Sequence, residues 1–366
     1  MNILMVYARR IESHYLAFPV RVFRRAIQAR GLNVTFSHDP FPRDLSKYDV
    51  IMVVQQYLDQ LLSKTSNRRE AVLQLLDRYH DDKLPVIWLD ASDTTGRIDP
   101  QIMARVSVYA MRQLLQDRTQ YLMPIYHGIA FQDYYQRTFQ ISTPNPEEYL
   151  ALVPDTLQKL AVYWNLGLID WRLQARRRLR RTVGIFFPRA SYDVRLIPPH
   201  LDMRSVDVSS RLSFHAAQPI IAFHRQNVQR AVGSLGNRRV VHHEGKLPLH
   251  AYLDEMAAAK IVVSPFGLGE ICYRDFEGFA AGAVVLKPDM SHLESFPAYY
   301  TADETYVAHR WDFGDLVEKM ESILDQPRAY EDIAAAGQRH FAAALTDGEA
   351  FAGQFQKLVE QAVRAR

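Results

Sequence analysis

The chain has 366 residues and a net charge of +3, from 44 Lys and Arg against 41 Asp and Glu. So even a balance gives no argument for nucleic-acid binding, and 48% hydrophobic against 23% charged residues excludes a disordered chain. No run of eighteen apolar residues is present to form a transmembrane helix, and one cysteine, Cys272, excludes an internal disulfide framework and a multi-cysteine zinc site. The length favours two domains over one. The first residues enter an apolar run with no basic stretch before it, so no secretory signal is expected and the protein is expected in the cytoplasm.

In chain order, NILMVYA (2–8) reads as a strand, and helical periodicity follows over 16–30, ending at Gly31. NVTFSH (33–38), DVIMVVQQY (49–57) and LPVIWLDA (84–91) read as further strands, with helices near 67–82 and 99–117. Six arginines fall between 172 and 181, and the domain junction is placed there. A second alternation begins beyond it. TVGIFFP (182–188), PIIAFHR (219–225), RRVVHHE (238–244), KIVVSP (260–265) and AVVLKP (283–288) read as strands. VQRAVGSL (228–235) and PLHAYLDEMAAA (248–259) read as helices, and three more are expected at 314–325, 328–343 and 348–365, the first capped by Asp312 or Asp315. Apolar strands alternating with helices predict α/β structure: two Rossmann-like, doubly wound parallel-sheet domains facing a cleft, with C-terminal helices. The expected division is 1–178, 179–345, and a helix at 346–366 that could cross back to the first domain. Ligands of such sheets bind beyond the carboxyl ends of the strands, so post-strand residues are the ones to inspect.

The stretch SPFGLGEICYRDFEGFAAG (264–282) lies between two strands. Gly267 and Gly269 let backbone approach a ligand, and the helix that follows offers free N–H groups to a phosphate. Cys272, Phe276, Phe279 and Ala280 form an apolar stripe, while Glu270, Arg274 and Glu277 share another face. Arg274 suits a phosphate, and Glu277 suits the two hydroxyls of a ribose. The same face would also serve as an ion-pair stripe on a surface helix, worth only a few tenths of a kcal/mol per pair. His224 and Arg225 end an expected strand at the cleft, with Arg211 a weaker phosphate candidate. Lys287, Asp289 and His292 lie on a post-strand loop. In the first half, Asp90 and Asp93 follow a strand and precede a Gly turn. Either is placed to take a proton from an acceptor hydroxyl, with His14 and His127 as rivals. HHE (242–244) is a poor chelator, because adjacent strand residues point to opposite faces, and no metal is expected. The arginine cluster fits a solvated interdomain helix or, with Trp164 and Trp171 nearby, a peripheral membrane contact.

PFGLGEICYRDFEGFAAGAVVL resembles the donor-site signature of GT-B glycosyltransferases (family 1-like). There a Gly loop enters a helix with a glutamate just before a small-residue turn. Glu277 followed by GFAAG matches the second glutamate of the family's Glu–seven residues–Glu motif, which implies a ribose-holding role. The chain departs at the first glutamate: Gly269 occupies that position and Glu270 is one residue late. The Arg in RDFE is similar to the CgeB/YkvP-like branch. The likeness covers about 245–325. It implies a metal-independent transferase with no cofactor, a nucleotide-sugar co-substrate, and Arg225 and Arg274 on the diphosphate. A glycan, lipid-linked or protein acceptor would bind the first domain, and nucleic acid is not expected. The rival readings are a sugar-nucleotide epimerase, a non-catalytic surface or spore-assembly protein, and a transferase acting on modified DNA bases.

Overall fold

The computed structural model describes residues 1–7, 11–40, 42–55, 68–143, 148–168, 194–212, 218–236, 241–242, 245 and 247–365. The first half runs β1 (Asn2–Val6), α1 (Ile11–Val22), α2 (Arg24–Ala29), β2 (Asn33–Ser37), β3 (Val50–Val54), α3 (Arg68–Asp81), β4 (Val86–Leu89), α4 (Pro100–Arg105), β5 (Val108–Met111), β6 (Gln113–Leu115), β7 (Ile125–Tyr126), α5 (Ala130–Phe139), β8 (Glu148–Tyr149) and β9 (Leu160–Val162). Six of these strands make a parallel sheet in the order β2-β1-β3-β4-β5-β9. All five residues of β3 are buried, as a strand covered on both faces requires. The expected helix over 99–117 is corrected. Asp99 caps α4, accepting from the amides of Gln101 and Ile102, but the backbone turns extended at Val106. Val108–Met111 then slots between β4 and β9. The short apolar run VSVYAM was compatible with either state, and burial on both faces decided for strand.

The second half runs β10 (Val206–Ser209), α6 (Pro219–Gly233), β11 (Val241–His242), α7 (Leu249–Ala258), β12 (Ala259–Val263), α8 (Tyr273–Ala280), β13 (Val284–Pro288), β14 (Leu293–Ser295), β15 (Val307–His309), α9 (Leu316–Asp325), α10 (Glu331–Ala344) and α11 (Gly348–Arg364). Its parallel sheet has the order β11-β10-β12-β13-β15. Here PIIAFHR (219–225) is a helix rather than a strand. Pro219 opens α6, and Ile221, His224, Val228 and Val232 are buried at three- and four-residue spacing. The paired isoleucines suggested a strand; the longer period overrules them. Asp315 stands at the start of α9, but its carboxylate accepts from the Arg310 amide, while Asp312 accepts from that of Gly314. The expected strand 182–188, the 178/179 junction and the arginine cluster lie outside the described residues. Among the described residues no helix is long and apolar enough to cross a membrane.

Among the contacts that join the halves are a strand pair and a helix. β14 pairs antiparallel with β6, Leu293 opposite Leu115 and Ser295 opposite Gln113. α11 packs on the first sheet: Phe351 meets Phe23 and Trp164 at 5.0 Å between ring centroids, and Gln356 accepts from Arg30 at 2.9 Å. Phe351, Phe355, Leu358, Val359 and Ala362 are buried in this contact face.

Candidate functional site

The site begins where β12 ends. Residues 264–272 form a loop turned by Gly267 N–H donating to Gly269 O at 2.9 Å, and α8 follows. Asp275, three residues into the helix start, accepts from the Cys272 amide at 3.0 Å and closes a capping box. The amides of the first turn have no acceptor four residues back, so they and the positive end of the helix dipole suit an anion. Gly278 seats α8 on the sheet, since a Cβ there would lie 2.8 Å from Val285. Phe276, Phe279 and Ala280 are buried as their stripe predicted; Cys272 is half-buried and free.

Arg274 and Glu277 project from the other face. The Arg274 guanidinium donates to the backbone carbonyl of Arg211 at 2.6 Å and to Tyr252 Oη at 3.4 Å. Tyr252, on α7, donates to Glu277 Oε2 at 3.1 Å. Burial raises the Glu277 pKa, against the opposing charge of Arg274. Beyond Tyr252 the carboxylate borders a cavity of about 260 Å³, lined also by Arg195, His250, Leu253, Asp254 and Ala280. Arg225, in mid-α6, points at the glycine loop: its Nε lies 3.5 Å from Phe266 O, and a Cβ on Gly267 would sit 3.4 Å from its Nη2. Burial lowers its pKa, with the like charge of Arg274 adding to the effect. Two guanidinium groups therefore flank one helix N-terminus.

The other expected ligands are committed elsewhere. Arg211 forms a forked ion pair with Glu255 of α7, at 2.6–3.0 Å, and Ser209 donates to the same carboxylate. Lys287 is fully buried, 3.2 Å from the equally buried Asp275. That carboxylate also accepts from Tyr300 at 2.7 Å and from Ser264. His224 is buried in the seam between the halves. Its Nε2 accepts from Phe266 N–H at 3.0 Å, so Nδ1 carries the hydrogen and donates to Tyr135 Oη of α5 at 2.8 Å. Burial holds the imidazole well below its usual pKa, hence neutral. Both ring nitrogens of His292 are buried without a partner among the described residues, and the ring stands edge-on to Trp311 at 4.6 Å. Burial pushes its pKa down to about 4. Asp289 accepts from Ser291 in a local turn.

In the first half, Asp90 sits in a buried hydrogen-bond network. It is 2% exposed, accepts from Tyr109 Oη at 2.5 Å and from the Ser92 amide at 2.8 Å, and burial raises its pKa. Asp93 keeps 40% of its side chain exposed, with one oxygen 2.5 Å from Arg112. His127 bonds Gln136 at 2.7 Å. His14 lies on α1, and its side chain is outside the described residues. Glu270 does not share the Arg274–Glu277 face. It is 0% exposed and accepts from Thr95 Oγ1 at 3.2 Å and Gln113 Nε2 at 2.9 Å, both from the first half. Sequence reasoning missed Glu255, Asp275, Thr95 and Gln113. Only Asp275 left a local signal, its position three residues after a helix cap. Among the described residues no cluster of three or more His, Cys, Asp or Glu could hold a metal.

Residues 216–347, which contain the glycine loop, α8 and Glu277, match a family model described as glycosyl transferase-like. No curated protein matches the chain in sequence. Among solved structures, an alpha-glucosyltransferase in complex with UDP and DNA containing an HMU base is 10% identical, with 98% of this chain and 99% of that chain covered and a TM-score of 0.44. Anabaena HepE in complex with UDP-glucose is 12% identical, with 98% of each chain covered and a TM-score of 0.40. UDP-GlcNAc 2-epimerase from Neisseria meningitidis, bound to UDP-GlcNAc, is 12% identical, with 98% and 100% covered and a TM-score of 0.39.

Proposed function

We propose that this glycosyl transferase-like chain of GT-B architecture moves a sugar from a nucleotide-sugar donor to an acceptor hydroxyl. The observation that carries the reading is the face of α8, inside the family-matched segment: Arg274, then Glu277 one turn on, then a cavity. A nucleoside diphosphate needs those groups in that order. The diphosphate would take the α8 N-terminus with Arg225 and Arg274, whose cations stabilise the charge that builds on the leaving group as the glycosidic bond breaks. The free Glu277 oxygen would accept from ribose hydroxyls, and the base would enter the cavity beside His250. Asp93, on the opposing loop, is the first-half carboxylate left to receive the acceptor's proton. Its bond to Arg112 holds it in place.

The test is a thermal-shift panel of nucleoside diphosphates and their sugars on wild type and Glu277→Ala. A ligand at a hundred times its Kd stabilises the folded state by about 2.7 kcal/mol. One nucleotide is expected to raise the wild-type Tm by several degrees and to leave the variant unmoved. A flat wild-type response to the whole panel would return the Arg274–Glu277 face to an ion-pair stripe. The stabilising donor then serves to screen glycan, lipid-linked, protein and DNA acceptors.

A further inference from the structure

We infer that Glu270 is a domain-docking residue, a proton-sensitive catch that holds the donor loop of the second half against the acceptor loop of the first. The inference stands on the contact between the halves, whichever donor binds.

Glu270 leaves the carboxyl end of β12, and Thr95 follows β4, so these are the ligand-facing ends of both sheets. The carboxylate is 0% exposed, Thr95 is 0% exposed and Gln113 is 3% exposed, so no water competes for the contact. Both partners are neutral. Gln113 Nε2 also lies 3.1 Å from the Asp93 carbonyl, which ties the catch to the candidate proton acceptor. The neighbouring Gly269 lies flush on that backbone: a Cβ there would sit 1.9 Å from Asp93 O. The charges bearing on the carboxylate come from three sides. Lys287 on β13 favours ionisation, while the hydroxyl of Tyr121, from the turn after β6, feels its charge. Across the loop, Asp93 is neutralised by Arg112. None of these forms an ion pair with Glu270, and Lys287 is already held by Asp275.

A carboxylate in that setting is easier to bury protonated. Burial pushes the Glu270 pKa from 4.5 up to about 7, with the Thr95, Lys287 and Gln113 interactions only partly offsetting the loss of water. Separation of the halves would return the group to water and its ordinary value. Docking is therefore fully supported below pH 4.5, where both states hold the proton. Between 4.5 and about 7 the separated state ionises first, and the docking constant falls by up to tenfold per pH unit. Above about 7 both states are ionised and the weakening is complete. Opening at neutral pH would free products; a bound donor that favours closure would draw a proton in.

Small-angle scattering of the full chain without ligand, from pH 5 to pH 8, tests this. The wild-type radius of gyration is expected to rise with pH and level off. Glu270→Gln keeps the shape and both partners without the charge, so it should stay compact throughout. Thr95→Val with Gln113→Leu removes both donors from the other half and should be expanded across the range. Circular dichroism establishes that each variant is folded. A wild type that does not change, or a Glu270→Gln variant that expands in step with it, overturns the inference. Neither outcome bears on the nucleotide panel, so failure here is distinct from failure of the donor site.

Discussion

Asp275→Ala is expected to lower the unfolding free energy by about 3–5 kcal/mol, the range found when one partner of a buried ion pair is removed. The variant leaves the Lys287 ammonium at 0% exposure without its ion-pair partner. It also strips the α8 cap from Cys272 N–H and leaves Tyr300 Oη without its acceptor. What remains near the ammonium is the Phe266 ring, 5.5 Å from Nζ, the Ser264 carbonyl at 3.4 Å and, within electrostatic reach but not in an ion pair, Glu270. A ring face contributes about 2 kcal/mol to a desolvated cation, less than the loss of the ion pair. Urea unfolding followed by circular dichroism measures the loss. Adding Lys287→Met should restore much of it, because an apolar pair of similar volume has no buried charge to compensate. A single variant as stable as wild type would mean that water reaches Lys287.

Gly269→Ala is the second large effect, and it acts on domain closure. The new methyl would meet the Asp93 carbonyl oxygen at 1.9 Å, inside any permitted contact, and the obstacle is backbone rather than a side chain that can swing aside. The two loops must part, and the Glu270 bonds to Thr95 and Gln113 break with them. The radius of gyration should rise to that of the open form, and the Tm should fall with it, because one apolar cluster runs from Phe131 and Tyr135 of the first half to Phe266 and Phe276 of the second. Transfer between a donor and an acceptor held on opposite halves should fall by about 100-fold, since a displacement of about 1 Å at a reacting centre has that order of effect. Gly267→Ala is the control. Its Cβ would meet the Cys272 Sγ at 3.1 Å and the end of the Arg225 side chain at 3.4 Å, and both can shift. Equal losses from the two variants would show that loop flexibility, not the approach to Asp93, is what the glycines supply.

Much of the architecture was legible because period carries it. The strands β1, β3 and β4 are apolar runs bounded by turns, β2 alternates, and α7, α10 and α11 follow the expected spacing. The errors fall where period is short or mixed. Val108–Met111 offers four residues, too few to separate strand from helix, and Ile220 and Ile221 imitate a strand inside α6. The site divides the same way. Arg274 and Glu277 are one helical turn apart, so their shared face follows from sequence. The partners that decide the fate of the other candidates are far off along the chain. Arg211 meets Glu255 44 positions later, and Glu270 meets Thr95 across 175. No spacing rule reaches that far. Glu270 shows the difference most clearly: four residues before Arg274, it turns off the Arg274–Glu277 face and across to the other half.

The passage of α11 back onto the first sheet bears on how the protein is made. Phe351 and Phe355 close the core around Phe23 and Trp164, so the half that is translated first is missing a wall until the chain beyond residue 364 is free of the ribosome. The second half carries its own sheet and is complete sooner after its synthesis. The order of maturation is thus reversed relative to the order of translation. A released chain truncated before α11 should expose Trp164 to quenchers and engage chaperones through its N-terminal half.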